Sequence, residues 1–147
     1  MIDRSFIGHA LPSFIVTPDH RGLRAFARAS AQPDLVYSDS EVARANGFPD
    51  CPVPPTYLFC LEMEGPDPTA MRRLLNIDIA RVLHGEQHFA YHAPAFAGEA
   101  LHFEPVILDI YDKKNGALEF VVRQTLVWRG DRERVATLRN TTVVRNG

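Results

Sequence analysis

The chain has 147 residues, 46 % hydrophobic and 23 % charged, a globular balance that excludes disorder and is long enough for one core without disulfide or metal staples. Sixteen basic and 18 acidic side chains leave a formal charge of −2, which gives no electrostatic reason to expect nucleic acid as a partner. No apolar run approaches the roughly 20 residues that span a bilayer, so no membrane partner is expected either.

The opening stretch MIDRSFIGHALPSF places Asp3, Arg4 and His9 where a signal peptide needs an unbroken apolar run. A cytoplasmic protein is the expectation, with Cys51 and Cys60 reduced and one domain over 1–147. Phe14–Val16 reads as a first short strand. In 21–31, Leu23, Phe26 and Ala27 recur at helical spacing, and Pro33 breaks the pattern. A second helix is expected over 38–47, capped by Ser38 or Ser40 and closed by Gly47.

Residues 51–65, CPVPPTYLFCLEMEG, are the most apolar helix candidate. Pro54 and Pro55 suit a helix start, because the first N–H groups lack intrahelical partners. Tyr57 to Leu61 are all apolar, so this helix is expected to be buried nearly all round. GPDP at 65–68 breaks the chain, and 69–75 gives another turn or two, with Arg72 and Arg73 exposed.

From residue 77 the period changes to two. Leu101 and Phe103 share one phase, and Val106, Leu108 and Ile110 the other, which predicts a β-bulge at Pro105. Leu118, Phe120, Val122, Leu126 and Trp128 fall on one face, and Trp128 is expected in the core or an interface. KNG in 113–116 and RGD in 129–133 are hairpin turns joining these strands to a last one over 134–144.

His84, His88 and His92 recur every fourth residue. On a helix they could converge on one metal, but Gly85, Pro94 and the alternation around them point to a strand. There His84 and His88 would share a face about 13 Å apart, too far to share an ion held at about 2 Å. No metal is expected. His84 and Glu86 on one face, about 6.6 Å apart, would leave room for a water between an acid and a base.

One buried helix followed by an antiparallel meander makes an α+β fold in which the sheet wraps the helix, and uncovered sheet edges point to a dimer. Four stretches carry a more specific likeness: FARASAQPDLVYSDSEVARANGF (26–48), VPPTYL (53–58), VLHGEQHFAYHAPAFAGE (82–99) and LDIYDKK (108–114). On these the chain resembles the MaoC-like acyl dehydratases of hot-dog fold, and most closely their N-terminal dehydratase domain, similar to the dehydratase of type I fatty acid synthases.

The resemblance implies (R)-specific hydration of an enoyl thioester, or the reverse dehydration of a 3-hydroxyacyl thioester, on CoA or acyl carrier protein. It implies no cofactor. Active members carry an Asp and a His five residues apart, which position and activate water. Aligned here, those positions fall on Gln32 and Tyr37. A glutamine accepts no proton at neutral pH, and a phenol with a pKa near 10 is a poor base.

Three readings follow. The chain is a non-catalytic subunit, working as a homodimer or with a second hot-dog subunit that supplies the dyad. Or it is an active hydratase using Asp34, His84 and Glu86. Or it is a hot-dog acyl-CoA thioesterase. The resemblance also places the thioester at the start of the buried helix, against Pro55, Thr56 and Tyr57. Pro55 has no N–H to offer, so the next donor is that of Thr56.

Overall fold

The computed structural model describes residues 1–146. Its elements run β1 (Phe14–Val16), α1 (His20–Ala29), α2 (Ser40–Ala45), α3 (Tyr57–Met63), α4 (Ala70–Leu74), β2 (Val82–Tyr91), β3 (Leu101–Lys113), β4 (Leu118–Arg129) and β5 (Glu133–Arg145). The strands form one antiparallel sheet in the order β1-β3-β4-β5-β2. The expected α+β architecture, a long sheet packed around a central helix, is therefore present. Short β1 and ten-residue β2 form its two edges.

Aspartates start several elements. Asp19 accepts from the Gly22 N–H at 2.6 Å to begin α1, and Asp39 accepts from Glu41 and Val42 to begin α2. The expected caps of α2, Ser38 and Ser40, yield to Asp39 because its carboxylate takes two orphan N–H groups at once. Gly47, at φ +87°, ends that helix as expected.

Helix α3 is shorter than the sequence suggests. Thr56 adopts φ +72°, a left-handed conformation that L side chains avoid, and the helix begins only at Tyr57. Leu58 and Leu61 are buried with Val16, Leu101, Phe103, Val127 and Leu138 of the sheet. Burying each leucine stabilises the fold by about 1.5–3 kcal/mol. Met63, by contrast, is half exposed, so the burial is not all round.

On β4, Leu118, Phe120, Val122, Leu126 and Trp128 do share a face, but the opposite one meets α3. That inner face carries Glu119, Val121, Arg123, Thr125 and Val127. Trp128 lies half-buried on the outer face between the Arg132 and Arg134 guanidiniums, at 4.6 and 4.7 Å, with its indole N–H donating to Glu104. It is not a core residue.

Of the three register shifts among the described strands, one leaves Val135 as an extra residue in β5, and two set the phases of β3 and β2. That in β3 falls between Ile107 and Asp109, three residues beyond the expected position, so Phe103, Pro105, Ile107 and Ile110 are the buried set. The second lies in β2, where His84 pairs with Thr142 and Glu86 with Thr141. Gly85 is the extra residue. A Cβ there would come within 2.8 Å of Val143 Cγ2 and 2.9 Å of the Thr141 carbonyl, so the bulge needs glycine.

Candidate functional site

The bulge at Gly85 separates residues that the sequence groups together. His84 pairs with Thr142, which places it with Gln87, Phe89 and Tyr91 on the face towards α3. Glu86, His88 and His92 turn to the other face and are exposed. The single histidine row expected over 84–92 does not form. The His84–Glu86 acid/base pair is likewise not formed, because one extra residue inverts every side chain beyond it.

Of the remaining candidates, the fold brings Asp34, Tyr37 and Pro55 together. They line a cleft of about 570 Å³, with Phe48, Val53 and Tyr91 supplying further wall. Asp34 opens a short 3-10 turn over Leu35–Tyr37, and its carboxylate accepts from the Val36 N–H at 3.1 Å. Gln32 is not among the lining residues; its side-chain carbonyl accepts from the Asp34 N–H at 3.2 Å. Gln32 thus braces the turn that presents Asp34 and Tyr37.

At the head of α3, the Thr56 N–H donates to the Tyr91 hydroxyl at 2.8 Å. A carbonyl entering the cleft would compete with that hydroxyl for the donor. The sequence reading missed Tyr91 as a site residue; its signal was an amphipathic side chain at the end of a strand, with a polar tip to place. Tyr57 turns inward, only 6 % exposed, with its ring 4.8 Å from that of Phe26 and its hydroxyl packed on Gly22. Burial pushes its phenol up to about 12, with Glu64 adding to the effect, so it stays protonated.

His84 belongs to a second cavity, of about 190 Å³, beneath the C-terminal end of α3. Its ring stands edge-on to Phe59, with centroids 5.5 Å apart, and Nδ1 lies 3.4 Å from Asn140 Nδ2. Beside it, Glu62 from α3 is buried on the sheet. It accepts from Arg123 at 2.8 Å and from the Thr125 hydroxyl. The only trace of this pair in the sequence is a carboxylate inside an apolar helix opposite polar residues on alternate positions of β4.

The metal-ligating side chains that converge among the described residues are His20, Asp50 and Cys51, with ligand atoms within 4.8 Å of one another. Their chemistry fits an ion poorly. Asp50 already accepts from His20 at 2.8 Å, from the Cys51 N–H at 2.7 Å and from Arg44 at 3.1 Å. The His20 bond first, and then that of the Cys51 N–H, hold its carboxyl well below the usual range, while burial raises the Cys51 thiol. Arg73 is paired with Asp67, and Arg81 donates through Nε to the Arg145 carbonyl. No helix is long and apolar enough to cross a membrane among the described residues.

A family model described as the FAS1-like dehydratase domain region matches residues 5–138. The chain is 33 % identical over 148 residues to a UPF0336 protein of Saccharopolyspora erythraea, covering 98 % of this chain and 92 % of that one. Its fold is similar to the HadBC (3R-hydroxyacyl-ACP dehydratase) complex of Mycobacterium tuberculosis, with a TM-score of 0.77 and 23 % identity over 94 % of this chain and 96 % of that one. A MaoC-like dehydratase superposes with a TM-score of 0.84 and 21 % identity, covering 97 % of this chain and 43 % of that protein.

Proposed function

The chain belongs to the FAS1-like dehydratase-region family, with the hot-dog fold of the MaoC-like dehydratases, and we propose that it is a non-catalytic subunit holding an acyl thioester for a partner's Asp and His. Reversible hydration needs one group to take a proton from water and another to deliver one to the α-carbon. The positions that resemble the family dyad hold Gln32 and Tyr37. Gln32 is spent on the Asp34 N–H, and the carboxylate nearest at hand, Asp34, caps a turn. This arrangement carries the proposal: a formed cleft lined by Tyr37 and a turn-capping Asp34, with Gln32 behind the turn, offers no Asp/His pair.

The cleft's chemistry suits binding. Apolar Phe48 and Val53 flank the head of α3, where the Thr56 N–H can take the thioester carbonyl once the Tyr91 hydroxyl gives way. The carrier is CoA or acyl carrier protein. The partner is a second hot-dog subunit, a reading supported by the resemblance to a structure that is itself a two-component dehydratase complex. The protein acts in the cytoplasm on this reading.

Hydration of crotonyl-CoA, followed by loss of enoyl-thioester absorbance, tests the proposal. The purified chain binds the thioester without turning it over, and turnover appears when a dyad-bearing hot-dog subunit is added. Turnover by the chain alone that disappears in Asp34→Asn would overturn it in favour of an active hydratase. Release of free CoA would point to a thioesterase.

A further inference from the structure

The outward face of α1 carries three positive charges. Arg21, Arg24 and Arg28 recur three and four residues apart, so they share one stripe of the helix. All three are exposed, and among the described residues none has an ion-pair partner. The opposite face, with buried Leu23 and Ala27 and half-buried Phe26, packs inward. No carboxylate lies within α1. Asp19 before it caps the Gly22 N–H, and Asp50 is held by His20 and Arg44.

Helix stability does not account for this stripe. Arg21 stands in the first turn, at the positive end of the helix dipole, and Arg24 and Arg28 are like charges one turn apart. Both placements cost a helix stability rather than adding to it. Only Arg28, in the last turn, suits the dipole.

The helix is also fixed beside the cleft. Its Phe26 ring lies 4.8 Å from that of Tyr57, the first residue of α3, and a Cβ at Gly22 would collide with the Tyr57 hydroxyl. Its end runs directly into the turn that presents Asp34 and Tyr37, with the Gln32 N–H donating to the Ala27 carbonyl at 2.8 Å. The arginines thus stand on the outer side of the element that leads into the cleft wall.

We propose that this arginine face docks an acidic acyl carrier protein, which delivers the thioester to the cleft. The inference rests on the thioester reading above and selects one of the two carriers that reading allows. Spacing makes the choice. Arg21 and Arg28 are separated by about 10 Å along the axis, at 1.5 Å per residue. Such an open row matches carboxylates spread over a protein surface, whereas a phosphate is gripped by donors that converge on it. None of the three arginines lines the cleft, where CoA would enter.

Calorimetry on the full chain tests this. The probes are an acidic acyl carrier protein bearing crotonyl-phosphopantetheine, the same carrier without the acyl group, and crotonyl-CoA. Replacing Arg21, Arg24 and Arg28 together by glutamine should weaken both carrier forms by about tenfold, roughly twofold for each exposed pair lost, and leave crotonyl-CoA unchanged. The difference should shrink as salt rises above about 0.15 M. Arg24→Glu sets an acid one turn before Arg28, which favours the helix, so it serves if the triple variant does not fold. It should weaken the carrier by about fourfold without loss of thermal stability, an effect that a merely structural role would not produce. Arg139→Gln, at an exposed arginine of β5, should change carrier binding by less than about twofold.

Four outcomes overturn the proposal. The wild-type chain binds neither carrier form, or the α1 variants bind both as well as wild type does. Arg139→Gln loses as much as Arg24→Glu, which means general attraction. Crotonyl-CoA loses as much as the carrier, which means that the arginines read phosphate. Failure of the thioester reading looks different: crotonyl-CoA does not bind and the acyl group adds nothing, while binding of the unloaded carrier still depends on the arginines.

Discussion

Glu62 and Arg123 show what one side chain can decide. Both are largely buried, and each is the other's ionic partner. Removing one leaves a charge in the core, so Arg123→Met is expected to destabilise the protein by about 3–5 kcal/mol in chemical denaturation. Adding Glu62→Leu should restore most of that loss, because an apolar pair of similar volume avoids the desolvation cost. A double variant no better than the single one would show that Arg123 matters for packing rather than charge. Tyr91 makes a different point. Its hydroxyl occupies the Thr56 N–H, so Tyr91→Phe should tighten binding of a short acyl-CoA by about fivefold, the worth of a hydrogen bond no longer contested. Unchanged affinity by calorimetry would mean that the thioester carbonyl is held elsewhere. Neither residue could be picked from the sequence: Glu62 reads as one polar position in an apolar helix, and Tyr91 as one ring in an alternating strand. What each does depends on a side chain 61 residues away in one case and a backbone N–H 35 residues away in the other.

At the level of elements, helices and strands were legible because they depend on local spacing, and their ends and phases were not. The positive φ of Thr56 delays α3 by several residues, a strain that no propensity announces. A bulge shifts the phase of a strand by one, and its position is set by the neighbouring strand. In β3 the expected break at Pro105 lies at Leu108 instead. In β2 the break at Gly85 sends His84 inward and Glu86 outward, dissolving a pairing that spacing alone supports. Gly85→Ala is therefore expected to cost about 1–3 kcal/mol, since its Cβ meets Val143 and the Thr141 carbonyl at under 3 Å. Thermal unfolding checks this. A variant as stable as wild type would mean that the strand can drop its bulge, and His84 should then lose its contact with Phe59.

Across the whole molecule, the order β1-β3-β4-β5-β2 leaves ten-residue β2 on an edge, next to the cavity wall that carries His84. A long edge is a template for pairing, so the chain is expected to associate. Light scattering should give twice the 16.5 kDa chain mass in isolation, or a one-to-one complex with a dyad-bearing subunit. A lone monomer at tens of micromolar that ignores such a subunit would remove the basis for partner dependence. The amino-acid sequence by itself determined the α+β class, the apolar helix, the meander and the family likeness, because periodicity and short motifs are local. It also supplied Gln32 and Tyr37 at the positions where an acid and a base would be expected. Only the tertiary structure decided that Asp34 and Tyr37 share a cleft with Tyr91, that the polar face of β4 is the inner one, and that Arg123, Asn140 and Gln87 form a row. Those outcomes rest on strand register and bulges, and register is fixed by pairing between segments far apart in the chain.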